Sequence, residues 1–185
     1  FGLCPDNTGM QQELFPLPNL NSKILRSNVE KAPEYLLVPF FKGGLSLFDF
    51  LENAGIVGLK AEEIDILIIM FHLFFTDRKN DGFLYFNTDD ILIFRGVRKN
   101  KALKNGLSGY KKIVRQRIDA IIKNLGSMKI FTVVDYKDFN YVVCFYDKFI
   151  QDIDGACFLS QKLLALNPHL KSWHKSIGMY LSILK

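Results

Sequence analysis

Asp77, Asp81, Asp89 and Asp90 offer the most chemistry at first sight, because four carboxylates in one short stretch could hold Mg²⁺ for phosphodiester hydrolysis. Each has a simpler assignment. Asp89 and Asp90 follow Thr88, a good helix N-cap, and fall in a first helical turn, where acids suit the positive end of the dipole. Asp77 and Asp81 belong to the polar turn TDRKNDG. His169 and His174 are five apart with Trp173 between them, which is not a zinc-binding helical spacing, and no second ligand pair is near. His72 lies inside the apolar run IDILIIMFHLFF and reads as a hydrogen-bonded core histidine, while Cys144 in a β-prone run reads as an inert buried thiol. The sequence contains no GxSxG, P-loop or HExxH motif. No catalytic residue, metal, cofactor or small-molecule ligand is assigned, and the chain is read as a non-enzyme.

The residues whose spacing suggests work are basic. RGVRKNKALKNGLSGYKKIVRQR, Arg95 to Arg117, holds nine Lys or Arg residues and not one Asp or Glu. Extended to Lys129, the window has eleven basic residues against one acid, Asp119; it carries +10 and leaves −5 for the rest of a chain of net charge +5. A solvated face mixes signs, whereas charge segregated along the chain is the footprint of a polyanion binder.

Hydrophobic residues form 49% and aromatics 14% of the 185 residues, ample for a core and incompatible with general disorder. Cys4, Cys144 and Cys157 are odd in number and include no CxxC pair, so neither a disulfide framework nor a zinc ribbon is expected and a reducing cytoplasmic setting is the default. The run from Ile64 to Phe75 is shorter than a membrane span and carries Asp65 and His72, and FGLCPDNTGM lacks the regions of a signal peptide. A first residue Phe1 and an end at Lys185 within an apolar helical pattern lead us to expect a piece of a longer protein.

The elements that must position the basic residues follow from periodicity and punctuation. Pro5, Pro16, Pro18 and Pro33 mark an extended arm over residues 1 to about 34. YLLVPFF is a strand that Pro39 confines to an edge, ended by Gly43 and Gly44, and SLFDFLENA is a short helix. A buried helix runs from near Lys60 to about Thr76, a strand from Phe83 to Asn87, and a short helix through DDILIFRG stops at Gly96. A helix from about Ser108 to Leu125 has its apolar stripe on Val114, Ile118, Ile121 and Leu125, with Gly126 as C-cap. Ile130 to Tyr136 and Tyr141 to Tyr146, joined by KDFN, form a hairpin. From about Gly155 to Lys185 helical spacing returns in two pieces separated at Asn167-Pro168. The expected organisation is an arm over residues 1–59, a domain over 60–150 and a C-terminal helical segment over 151–185, where a second domain would start.

Helix, strand, helix, loop, longer helix and hairpin is the element order of a winged helix, so the expected fold class is α+β, mainly α, with a helix-turn-helix plus a β-hairpin wing. The helix able to enter a major groove is also the basic one. Its outward side, opposite the stripe, carries Lys112, Gln116, Asp119 and Lys123, with Arg115 on a flank. Lys112, Arg115 and Gln116 are the candidates for base edges, since Arg suits guanine and Gln suits adenine. Phosphates fall to Arg98, Lys99, Lys101, Lys104, Tyr110 and Lys111, with Lys123 on the same side and Lys137 at the wing tip. Asp119 is expected to pair with Arg115 one turn away.

FNTDDILIFRG, GLSGYKKIVRQRIDAIIKNLGSM and the IFTVV hairpin resemble the winged-helix domain of plasmid and mobile-element replication initiators over about half of the chain. LNPHLKSWHKSIGMYLSILK resembles the segment that leads into a second winged helix in such proteins. The resemblance implies sequence-specific binding of double-stranded DNA, often as a homodimer or at repeated sites, by a cytoplasmic, nucleoid-associated protein. Transcription regulators share the domain, so replication is not implied over transcription. Two other readings stay open. Single strands could stack on Tyr110, Tyr136, Phe139 and Tyr141, and the domain could serve as a protein dimerisation module.

Overall fold

The computed structural model describes residues 31–77, 82–96 and 112–164, with Lys112 described by its backbone alone. Helix α2, Ala61–Thr76, is the centre of the fold. From Ile64 to Phe74 every residue is buried, because the sequence is apolar on all sides and neighbours cover all of them. Its start is fixed by Glu63, whose carboxylate accepts the Lys60 backbone N–H at 2.8 Å.

On one side of α2 lies a two-stranded sheet, in which β1, Tyr35–Phe41, pairs antiparallel with β5, Ile153–Ser160. The register runs from Tyr35 opposite Ser160 to Pro39 opposite Ala156 and breaks between Phe40 and Phe41. Gly155 is required there, since a Cβ would stand 2.6 Å from the Phe40 ring. The strand over 153–160 corrects the expectation of helical spacing in this segment. Cys157 and Leu159 enter the core while Phe158 between them is 68% exposed, which is a period of two and not 3.6. Residues 165–185, with the break at Asn167-Pro168, lie outside the described residues. Between β1 and α2, helix α1, Leu47–Asn53, begins at a capping box in which Ser46 and Asp49 cap each other, and Phe50 stacks on Phe41 at 3.8 Å.

After α2 in the chain, strand β2, Leu84–Asn87, leads directly into α3, Thr88–Phe94. The cap of α3 is Asn87 and not Thr88: Asn87 Oδ1 accepts from Asp90 N–H at 2.9 Å and Asp90 returns the bond to Asn87 N–H at 3.1 Å. Thr88 is thereby the first helical residue, 1% exposed. Gly96, at φ +97°, follows the helix, as expected.

Helix α4, Lys112–Ser127, precedes β3, Phe131–Lys137, and β4, Asn140–Phe145. The three strands lie in the order β2-β4-β3, all antiparallel. Gly126 is inside α4 and not its cap; the chain reverses at Lys129, a non-glycine residue at φ +59°. The β3–β4 connection is a two-residue turn, with Asp138 and Phe139 at φ +49° and +64°, the pattern of a type I′ hairpin. Asn140 Nδ2 donates to the carbonyls of Lys137 and Asp138 and holds it closed. Helix α5, Asp147–Gln151, links β4 to β5. The architecture is α+β with two small antiparallel sheets. The larger buried cluster joins Leu36 and Val38 of β1, Ile66 to Phe71 of α2, Ile118 and Ile122 of α4, and Leu159 of β5, and a smaller one gathers Phe83, Val142 and Cys144.

Candidate nucleic-acid interface

Helix α4 buries Ile118, Ile122 and Leu125, each at most 2% exposed, while Val114 and Ile121 of the expected stripe are only half-buried. Including Ile122 turns the helix a few tens of degrees from the orientation that the stripe predicts. Two consequences follow for the polar side. Asp119, expected to face outward, is brought against β4, where it accepts from the Tyr141 hydroxyl at 2.5 Å. Arg117 is turned outward, its side chain 70% exposed. The open face therefore carries Ile113, Gln116, Arg117, Ala120, Lys123 and Asn124.

The arginines of this region meet acids on neighbouring elements. Arg115 holds Asp89 of α3 with two nitrogens, Nε to Oδ1 at 3.0 Å and Nη2 to Oδ2 at 3.3 Å. Arg117 Nη2 lies 2.8 Å from Glu62 Oε2, and Glu62 also faces Arg95 at 3.8 Å. Arg95, 8% exposed, lies 3.5 Å from the buried Asp65 through Nε, a charge contact without a hydrogen bond at that nitrogen. Thus Arg95, at the head of the basic run, is committed to α2.

At the wing side, Lys123 Nζ bonds the other Asp119 oxygen at 2.8 Å and stands 4.9 Å over the Tyr136 ring. The hydrogen bond to Asp119, and then its charge, push the Lys123 ammonium up from its ordinary range. Tyr141 is fully buried, packed on Phe86 and Tyr136, and burial followed by the bond to Asp119 pushes its phenol far above the usual range. Two expectations are corrected here. Asp119 pairs with Lys123 and Tyr141 and not with Arg115, because Asp89 sits within reach of Arg115 from the adjacent helix. Tyr141 offers no open ring for base stacking, whereas Tyr136 is 38% exposed.

Of the residues singled out in the sequence, Arg98, Lys99, Lys101, Lys104, Tyr110 and Lys111 lie outside the described residues. Lys112 opens α4, and Gln116 and Lys123 share its open face. Lys137 is exposed at the end of β3 beside the hairpin turn, opposite Asn140. Ile113 and Arg117 were missed; the sequence signal for both is Ile122, which belongs to the apolar stripe. His72 is a core histidine, 8% exposed, whose Nδ1 accepts from Leu37 N–H at 2.8 Å; burial lowers its basicity, opposed in part by Asp77. Cys144 is buried and disulfide-bonded, which corrects its reading as a thiol; Cys157 is free and buried. Among the described residues, no group of three His, Cys, Asp or Glu side chains is placed to hold a metal ion, and no helix is long and apolar enough to cross a membrane.

The chain matches no protein-family model, no curated protein and no solved structure.

Proposed function

We propose that this protein binds double-stranded DNA as a winged helix, with α4 in the major groove and the β3–β4 hairpin as the wing. The observation that carries the reading is topological: α2, β2, α3, α4, β3 and β4 follow one another with strand order β2-β4-β3, and the helix before the hairpin is the one that an acid-free basic run feeds. Gln116 is the exposed side chain of α4 offered to base edges, and Arg117, 70% exposed, joins it where DNA displaces the Glu62 carboxylate from its Nη2. Lys112, Lys123 and Lys137, with Arg98, Lys99, Lys101, Lys104, Tyr110 and Lys111 of the run, supply phosphate contacts. Arg115 braces α3 on α4 and is not itself offered to a base while Asp89 holds it. In this reading it serves as an initiator of replication or a regulator of transcription; the disulfide at Cys144 takes away the cysteine-based ground for a reducing cytoplasmic setting.

A duplex titration at several salt concentrations tests this. Six to eight phosphate contacts correspond to a log-log slope of about −5 to −7; absence of binding, or a slope near zero, removes the reading. A second reading, a dimerisation module, is favoured by one observation: Tyr35 and Phe158 stand 52% and 68% exposed as an edge-to-face pair on the outer side of the β1–β5 sheet. Sedimentation with and without duplex separates the two, since a module of that kind dimerises and ignores DNA.

A further inference from the structure

We propose that the open face of α4 reads A·T pairs in the major groove, with Ile113 against a thymine methyl and Gln116 on an adenine of the same or the next pair. The inference rests on the DNA-binding reading above and adds to it the class of base pair. Its starting point is an unexplained residue. Ile113 is 68% exposed and is the one large apolar side chain left open on a helix among the described residues. A β-branched side chain has lower helix propensity than Ala or Leu, and among the described residues no packing offsets that cost.

Its neighbours define what it can meet. Gln116, one turn along, is exposed and makes no hydrogen bond to the described residues, so its amide is available for a bidentate contact. Arg117 flanks the pair, and Ala120, exposed between them, is small enough to let the helix backbone approach a groove floor. A lone isoleucine set among an amide, a guanidinium and an alanine is not the contiguous apolar patch that a protein interface uses. It matches instead the thymine C5-methyl, an apolar group displayed in the major groove beside adenine N6 and N7, which Gln reads bidentately. The spacing agrees: Ile113 and Gln116 are separated by about 4.5 Å along the helix axis, against roughly 3.4 Å between base pairs. Both contacts then fall within one or two pairs. Arg117 and Lys123 on the same side, 70% and 58% exposed, are each already met by one carboxylate, Glu62 and Asp119, and present a polar, partly neutralised rim that suits no apolar occupant.

The test uses the whole 185-residue chain and duplexes it enriches from a randomised pool, in which each thymine is replaced singly by deoxyuridine to remove only the methyl. One or two positions are expected to lose about fourfold in affinity, the scale of one buried methyl. Ile113→Ala is expected to bind the thymine duplex as weakly as the uracil one, collapsing their ratio to one. Val57→Ala, a change at an equally exposed residue in the α1–α2 loop, keeps the wild-type ratio. Equal affinity of the wild type for thymine and uracil at every position overturns the inference, as does Ile113→Ala that still discriminates between them. Binding without any sequence enrichment also overturns it while leaving duplex binding in place. Retention of no duplex removes both.

Discussion

Arg115 of α4 grips Asp89 in the first turn of α3 with two parallel contacts, at 3.0 and 3.3 Å, across 26 positions of sequence. The planar fork of guanidinium matches the carboxylate in a way that an ammonium cannot. Both side chains are about a quarter exposed, so solvent screens the pair. Arg115→Lys and Asp89→Asn are each expected to cost about 0.5 to 1 kcal/mol in urea denaturation, with the double variant close to either single one. On the proposed DNA-binding reading, a brace between the two helices predicts that Arg115→Lys weakens specific and random duplexes alike. Loss confined to the specific site would return Arg115 to the base-reading role that its residue type suggests.

Gly126 distinguishes a cap from a helix interior. A C-cap glycine adopts a left-handed conformation that alanine resists, whereas Gly126 lies inside α4 with ordinary helical neighbours. A Cβ there would meet the Phe131 ring at 3.6 Å and the Val133 side chain at 3.8 Å, normal contact distances. Gly126→Ala is therefore expected to stabilise the protein by about 0.5 to 1 kcal/mol, read as a higher urea midpoint at unchanged slope. A lower midpoint would show that the position needs glycine.

The residues that were legible in the sequence are those whose partners are close along the chain. The Asp90 cap, Gly96 after α3, the edge position of Pro39 and the β3–β4 hairpin all follow from local chemistry. Even there, the sequence reading places the cap on Thr88, one residue late, because Asn87 before it has equal capping chemistry and also ends β2. What was not legible is non-local. IDGACFLS becomes a strand because β1, more than a hundred residues earlier, offers it an edge. The orientation of α4 is set by Ile122 entering the core, and the charge pairs of Arg115 and Arg117 depend on acids brought in by α3 and α2. A basic window read as one block of free charge is, at Arg95, Arg115, Arg117 and Lys123, already answered by carboxylates.

His72 ties β1 to α2 and makes that joint sensitive to acid. Neutral Nδ1 accepts from Leu37 N–H, and a protonated ring cannot. Burial lowers the folded-state value below the ordinary 6.5, with Asp77 opposing the shift. The unfolded chain then binds the proton more readily than the folded one. Stability from this residue is complete above pH 6.5 and falls as pH drops through the lowered folded-state value. Urea midpoints measured from pH 7.5 downward are expected to decline in that window, and His72→Gln is expected to flatten the decline. A profile identical in the variant would place the acid sensitivity elsewhere.

Tyr141 carries the contact between the hairpin and α4 that aligns the two. Its hydroxyl donates to Asp119, which Lys123 holds from the other oxygen, so the carboxylate keeps a partner when the phenol is removed. Tyr141→Phe preserves the packing on Phe86 and Tyr136 and is expected to cost about 1 to 2 kcal/mol, near the lower end for a bond to a charged group. Asp119→Ala is expected to cost more, about 2 to 3 kcal/mol, because it leaves a fully buried hydroxyl without its acceptor. Alkaline titration of phenol absorbance gives an independent reading. Since burial and Asp119 keep the Tyr141 phenol protonated, the amplitude near pH 10 is expected to be the same in Tyr141→Phe as in the wild type. An amplitude smaller by one tyrosine would mean that the ring is reached by hydroxide and that the α4–hairpin contact opens before the fold does.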